Sequence, residues 1–176
     1  MTTPLLHVPH ARLPLLEATL LGRYQRFIAE ARLVDTGEVV LAHCINPGQM
    51  EGLVRPGSRI WLSDVPPESP RKLRYTWELS EIDGERIGCN TTIPNRLAEA
   101  FIATRQLRGF TRFDRIRREV PYGERSRVDL CLERGSRRVR RHYIEVKNCH
   151  LIYPDDRGYF PDSVSARAST HLEELM

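Results

Sequence analysis

The chain has 176 residues, of which 40% are hydrophobic and 28% charged, a composition typical of a folded protein that buries a core. Its formal net charge of +4 suits a polyanionic partner without requiring one. We find neither the run of about 20 apolar residues that crosses a bilayer nor a signal peptide, so we expect a cytoplasmic protein without a membrane partner.

The first half of the chain consists of short strand patterns separated by turns. Many short strands within about 60 residues predict a small closed barrel such as an OB-fold, although a fragment of a β-sandwich would produce the same pattern. The last strand alternates apolar and polar side chains, which places the two kinds of side chain on opposite faces. The predicted strands are Arg23–Leu33, Val39–Cys44, Arg59–Ser63 and Lys72–Glu81.

The second half changes to a mixture of helix and strand. A helix is predicted from Pro94 to Arg108, with Asn95 as a plausible N-cap. A basic turn over residues 134–142 separates the last two strands. Helix, strands and a final helix describe an α/β domain with a mixed sheet. The remaining predicted elements are the strands Arg117–Val120, Arg125–Leu132 and Tyr143–Asn148 and the helix Ser163–Leu175.

Two acidic residues and one lysine form the most informative pattern. Glu145 and Lys147 are two residues apart on a predicted strand, so their side chains share a face. Asp129 lies on the preceding predicted strand, its possible antiparallel neighbour. Mg²⁺ is usually held by one or two carboxylates together with waters and phosphate oxygens, and the carbonyl of Val146 could add an oxygen. Lys147 could then position a water or offset charge on a phosphate.

The same three residues also have a simpler interpretation. An aspartate on one strand and Glu-x-Lys on the next can form an exposed, salt-bridged sheet face, and the bare pattern is common. The choice of cation favours the functional interpretation, because Lys72 and Lys147 are the only lysines among 27 basic residues. Lysine is a compact donor with a tunable pKa, whereas arginine is a planar, permanently charged fork.

Several arginines are candidates for binding a phosphate backbone. Arg23 and Arg26, with Lys72, Arg74, Tyr75 and Trp77, could form a cationic and aromatic surface on the barrel. The alternation of the last strand instead favours a core position for both aromatic residues. Arg127 shares the predicted face of Asp129. Five arginines, including Arg137 and Arg138, crowd the basic turn, where they either grip phosphates or form a solvated hairpin tip.

Beyond these patterns, the chain resembles the sugar fermentation stimulation protein A family, whose members are described as DNA-binding proteins and DNA/RNA nucleases. The resemblance covers nearly the whole length. The sequence segments that carry the resemblance are residues 23–27, 43–50, 76–79, 95–97, 122–129, 143–148, 159–162 and 171–175.

The resemblance implies an N-terminal OB-fold-like barrel over residues 1–84 and a PD-(D/E)XK nuclease-like α/β domain over residues 85–176. It implies active-site acids at Asp129 and Glu145, the active-site lysine at Lys147, and a further helix acid at Glu99. The expected activity is Mg²⁺- or Mn²⁺-dependent hydrolysis of DNA or RNA. A non-catalytic DNA-binding regulator of sugar metabolism genes that keeps the nuclease fold is the alternative.

The sequence departs from the family pattern in two places. Thr170 stands where the family usually has a lysine, although Arg167 still supplies a cation nearby. Family members usually continue beyond the point at which this chain ends, so we expect a shortened C-terminal domain. An uncovered sheet edge or apolar helix face would favour a homo-oligomer.

Overall fold

The structure is a computed structural model that describes residues 14–66, 68–122, 126–149, 151–152 and 158–159. The chain divides into two compact units. The described residues of one lie within His10–Thr91 and Cys149–Ser163, and those of the other within Thr92–Asn148. The domain boundary predicted after residue 84 falls in a β-hairpin turn of the first unit.

The first unit contains a closed five-stranded barrel, which confirms the predicted OB-like fold. The strands follow the order β3-β2-β1-β4-β5, and a parallel pairing between β3 and β5 closes the barrel. A short β6 extends from β5 as a hairpin. The strands are β1 Leu16–Tyr24, β2 Ile28–Leu33, β3 Val39–His43, β4 Arg59–Asp64, β5 Tyr75–Ile82 and β6 Glu85–Gly88.

The barrel interior combines small and large apolar side chains. Ala18, Ala29 and Ala42 are fully buried, and so is Trp77. Such small residues let strands curve closely around one large ring in a barrel of this size. Trp77 therefore belongs to the core, as the alternation of its strand predicts. Tyr75 is also buried, with 8% of its surface exposed.

The predicted single strand Arg23–Leu33 is wrong, because the chain turns back near its start, and only Ile28–Leu33 continues as one strand. Gln25 and Arg26 have φ angles of 48° and 63°, and together they form the tight turn between β1 and β2. Two successive positive φ angles match the right-handed twist of a hairpin. Glycine, asparagine and aspartate usually occupy such positions, so glutamine and arginine concealed the turn.

The polar face of β5 is buried as well as its apolar face. Thr76, Glu78 and Ser80 are 0%, 4% and 0% exposed. The Glu78 carboxylate accepts hydrogen bonds from the Ser63 hydroxyl at 2.6 Å and from the Asn90 amide at 2.7 Å. Because its polar atoms have partners inside the protein, this face tolerates burial that the sequence pattern does not suggest.

In the second unit, one helix accompanies a three-stranded antiparallel sheet, within the part of the chain that the structure describes. The sheet order is β7-β8-β9, so the predicted mixed sheet is represented there by antiparallel strands alone. Ile102 of the helix packs with Leu130 and Leu132 in a small core. The elements are α1 Ile93–Ala103, β7 Arg115–Tyr122, β8 Ser126–Arg134 and β9 Arg140–Ile144.

Two boundaries in this unit differ from the sequence prediction. Helix α1 begins after Thr92, not Asn95, and ends at Ala103, close to Arg105 with its φ of 61°. Strand β9 begins at Arg140, inside the predicted basic turn, and ends at Ile144. Glu145 and Lys147 therefore follow the strand, and the prediction that they lie on it is wrong.

The last described residues form two short strands, β10 Leu151–Ile152 and β11 Gly158–Tyr159, which pair with each other. The predicted helix Ser163–Leu175 and Arg167 lie outside the described residues. Among the described residues, no helix has the length and apolar character that a membrane crossing requires.

Candidate functional site

Asp129 lies in the middle of β8, half-buried, with both carboxylate oxygens engaged. Its Oδ1 accepts a hydrogen bond from the side-chain amide of Asn95, in the first turn of α1, at 2.7 Å. Its Oδ2 accepts one from the main-chain N–H of Val146, also at 2.7 Å. Asp129 thus connects the helix, the sheet and the segment that follows β9.

Glu145 and Lys147 flank the residue that Asp129 binds. The Lys147 ammonium lies 2.5 Å from Glu145 Oε1, and the two side chains are 37% and 14% exposed. Between them, Val146 packs against the core of Ile102 and Leu130. The antiparallel register of β8 and β9 ends with Leu130 opposite Ile144. Asp129, which precedes Leu130, and Glu145, which follows Ile144, are therefore the next two residues beyond the paired region. The structure therefore brings the predicted triad to one place.

Glu99 lines a depression of about 160 Å³ together with Asp129. Its carboxylate forms a two-pronged ion pair with Arg118 of β7, at 2.9 Å to Nε and 2.5 Å to Nη2. This hydrogen-bonded carboxylate raises the pKa of the Arg118 guanidinium. Asn95, Arg96, Glu119 and Leu130 complete the lining. A carboxylate on the helix thus opens onto the same depression as Asp129.

The donor set suits a hard divalent cation with few protein ligands. Within the described ranges, no group of three or more acidic, histidine or cysteine side chains is arranged to hold a metal. Mg²⁺ does not need such a cage, because it commonly keeps several waters and binds through one or two carboxylates. Asp129, which accepts from the Val146 N–H, and Glu145, which precedes Val146 in the chain, supply two such carboxylates. Soft or tetrahedral sites would need other ligands.

The arginines predicted to bind nucleic acid have different surroundings. Arg23 donates five hydrogen bonds of 2.7 to 3.1 Å to the main-chain oxygens of residues 26, 46, 48 and 49. Its guanidinium therefore organises two loops of the barrel. Arg26 is exposed at the β1–β2 turn, and Arg137 and Arg138 are exposed in the β8–β9 loop. Their contact with nucleic acid stays a prediction.

Arg141, from the predicted basic turn, and Arg117, from β7, form a cluster with Glu133. Arg117 and Arg141 lie 3.3 and 3.1 Å from one carboxylate oxygen of Glu133, across the three strands of the sheet. Hydrogen bonding to Arg141 and Arg117 lowers the pKa of Glu133, outweighing its partial desolvation. Arg127 is exposed, and its guanidinium contacts the main-chain oxygen of Glu119 at 3.4 Å.

Asn95 is the site residue whose role the sequence did not reveal. Its position near the start of a helix predicts a capping residue, but Thr92 occupies the N-cap and Asn95 reaches Asp129 instead. Its only sequence signal is the segment at residues 95–97 that carries part of the resemblance.

Comparison with known proteins places both halves of the chain in one family. Residues 21–89 match the model described as the SfsA N-terminal OB domain. Residues 92–176 match the model described as the sugar fermentation stimulation protein RE domain.

Three relatives are named sugar fermentation stimulation protein homolog, and each aligns with 92% of this chain. The protein of Thioalkalivibrio sulfidiphilus is 47% identical, that of Rhodospirillum centenum 46% and that of Rhizobium rhizogenes 44%. The aligned regions cover 67%, 68% and 64% of these relatives. The chain thus spans about two thirds of their length.

A solved structure has the same fold. Pyrococcus furiosus SfsA, in complex with Ca²⁺, superposes with a TM-score of 0.77 over 93% of this chain and 66% of that one, at 24% identity. The family models, the relatives and the barrel followed by a helix and a second sheet agree: this chain belongs to the sugar fermentation stimulation protein family.

Proposed function

We propose that the chain is a metal-dependent nuclease that hydrolyses phosphodiester bonds of DNA or RNA. The observation that carries this proposal is the 2.7 Å hydrogen bond between Asp129 Oδ2 and the Val146 N–H, which joins Asp129 to the Glu145–Lys147 segment. Asp129 also lines the depression of about 160 Å³, and the paired Glu145 and Lys147 flank the Val146 peptide that Asp129 binds. A related protein, the SfsA of Pyrococcus furiosus, was solved with Ca²⁺, a hard cation of the kind that carboxylates bind.

Each residue has a definite role in the proposed site. Asp129 and Glu145 hold Mg²⁺ or Mn²⁺, with the carbonyl of Val146 as a further oxygen. When bound, the cation supplies Lewis-acid chemistry and lowers the pKa of water. Lys147, which is held at Glu145 in the structure, turns its ammonium towards the phosphate and offsets charge there. Glu99 adds a carboxylate from the helix.

Cleavage of labelled single- and double-stranded DNA and RNA with Mg²⁺ or Mn²⁺ tests the proposal. We expect Glu145→Ala and Lys147→Ala to lose at least about a hundredfold in rate, since each removes several kcal/mol of transition-state stabilisation. Lys72→Arg is the control, because it replaces the other lysine, in the barrel loop, while keeping its positive charge, and it should cleave like the wild type. Equal cleavage by all four proteins would point to a contaminating nuclease and refute the assignment.

A second function, nucleic-acid binding without turnover, is supported by a separate observation on the barrel. Tyr24 and Phe27 are 50% and 49% exposed around the β1–β2 turn, with Arg26 between them. The Tyr24 hydroxyl donates to Glu30 at 2.8 Å, and its oxygen and ring carbon Cζ lie 3.0 and 3.2 Å from where a Cβ of Gly22 would stand. The side chain therefore lies close to the glycine backbone, and its exposed half is available for a base to stack on.

Salt and chelator separate the two functions. A binder that uses the barrel keeps its affinity for a single strand in EDTA and loses it steeply with added salt, whereas a nuclease loses turnover on chelation. Binding without cleavage under every metal condition would establish the regulator and refute the enzyme. We place either function in the cytoplasm. We assign nucleic-acid binding to the barrel domain, predicted over residues 1–84, and hydrolysis to the nuclease-like domain, predicted over residues 85–176.

A further inference from the structure

The ion pair between Glu99 and Arg118 blocks a carboxylate of the proposed site. Both prongs of the guanidinium face the carboxylate, at 2.9 and 2.5 Å. The Glu99 side chain is 22% exposed, whereas that of Arg118 is 68% exposed. The carboxylate is thus largely enclosed, and the cation that covers it stands mostly in solvent.

The position of this ion pair relates it directly to Asp129. Arg118 is opposite Leu130 in the β7–β8 register, and Leu130 is the neighbour of Asp129 in the chain. Glu99, Arg118 and Asp129 all line the same depression. A phosphate that enters the depression therefore meets the Arg118 guanidinium beside Asp129, one of the acids that are proposed to hold the cation.

The chemistry of guanidinium allows an exchange of partners. Its planar fork binds phosphate and carboxylate with the same two-pronged geometry. The Arg118 side chain is 68% exposed, so water and salt screen its attraction to Glu99. A phosphodiester anion that approaches the exposed guanidinium can therefore compete with Glu99 for Arg118.

We propose that Arg118 makes the Glu99 carboxylate available only when substrate is bound: without nucleic acid it holds Glu99 in an ion pair, and a substrate phosphate draws it away, so that Glu99 can turn to the cation. This inference rests on the proposed nuclease function. It assigns Arg118 as a residue that couples phosphate binding to metal binding. The chain then binds its divalent cation more weakly when it is free than when it holds nucleic acid.

Thermodynamic linkage makes the coupling measurable without catalysis. If Arg118 competes with the cation for Glu99, its removal strengthens cation binding to the free protein. Coupling between two sites is reciprocal and usually at least about fivefold. In the wild type, nucleic acid is expected to strengthen cation binding. Removal of Arg118 should reduce that strengthening by the same factor.

Isothermal calorimetry of Mn²⁺ binding tests the proposal, with and without a cleavage-resistant phosphorothioate oligonucleotide. We expect Arg118→Ala to bind Mn²⁺ about fivefold more tightly than the wild type without oligonucleotide, and equally tightly with it. Arg96→Ala is the matched control, because Arg96 lines the same depression and the substitution removes the same charge. It should change Mn²⁺ affinity less than twofold on the scale of weak exposed charge interactions.

Glu99→Gln provides the decisive background. There, Arg118→Ala should leave Mn²⁺ affinity unchanged, since the carboxylate that Arg118 covers is gone. An equal gain in both backgrounds would show a general charge effect and overturn the proposal. Mn²⁺ binding that Arg118→Ala leaves unchanged overturns the coupling but spares the nuclease, whereas absence of Mn²⁺ binding in the wild type refutes both.

Discussion

Two carboxylates, one in each unit, have nearly the same hydrogen-bond partners and different surroundings. In the barrel, Glu78 accepts from the Ser63 hydroxyl and the Asn90 amide at 2.6 and 2.7 Å. In the second unit, Asp129 accepts from the Asn95 amide and the Val146 N–H, both at 2.7 Å. Each carboxylate therefore has an asparagine amide on one oxygen.

Access distinguishes these two carboxylates. Glu78 is 4% exposed within the barrel, whereas Asp129 lines a depression that also contains Glu99, Arg118 and Arg96. A buried carboxylate with neutral donors holds a fold together, because its donors would otherwise be desolvated without partners. A carboxylate with the same donors at a charged depression can in addition accept a cation. Hydrogen bonding alone therefore does not identify a functional acid.

The largest expected difference between the two acids is in stability. We expect Glu78→Ala to lower the free energy of unfolding by about 3 kcal/mol, because it removes a buried acceptor from two donors. Asp129→Ala should cost about 1 kcal/mol, since water can reach the donors it leaves. Urea denaturation of the full chain measures both. Titration with Mn²⁺ should show the opposite order, with metal binding lost in Asp129→Ala alone. Equal losses of stability in the two variants would contradict the proposed difference between the two acids.

The two asparagines sharpen the comparison, because each donates at 2.7 Å to its carboxylate. We expect Asn95→Ala to weaken Mn²⁺ binding about 10- to 100-fold, as is usual when a residue that orients a metal ligand is removed. Asn90→Ala should destabilise the barrel and leave Mn²⁺ affinity unchanged. Calorimetric titration of both variants decides, and an Asn95→Ala variant with wild-type affinity would make Asn95 a purely structural residue.

Glu133 extends the comparison to an acid held by arginines, with the smallest expected effect. Hydrogen bonding to Arg141 and Arg117 lowers its pKa below the ordinary value of 4.5. A lowered pKa in the folded state means that the ionised form stabilises the fold above the unfolded pKa, and that this contribution disappears as pH falls through the folded pKa. Denaturation of wild type and Glu133→Gln should therefore differ at neutral pH and converge in acid. If the difference in stability persists in acid, it arises from the packing of the Glu133 side chain and not from its charge.

The sequence predicted the fold more fully than the boundaries of its elements. Short strands with turns predicted the barrel, and apolar spacing predicted α1 and the strands of the second sheet. The β1–β2 turn was missed because Gln25 and Arg26 adopt positive φ angles without a residue type that favours them. The end of β9 before Glu145 was missed because apolar alternation continues into the segment after the strand.

For the candidate site, the sequence by itself determined the residue types and their order: an aspartate, then Glu-x-Lys, with lysine rare elsewhere in the chain. Tertiary structure alone decided which groups meet. The Asp129–Val146 and Asp129–Asn95 hydrogen bonds join residues 17 and 34 positions apart, and the Glu99–Arg118 pair joins a helix to a strand. Such contacts depend on how the helix and strands pack, which local sequence patterns do not encode. The periodicity of apolar residues reflects neighbouring positions in the chain, so helices and strands can be predicted from it directly.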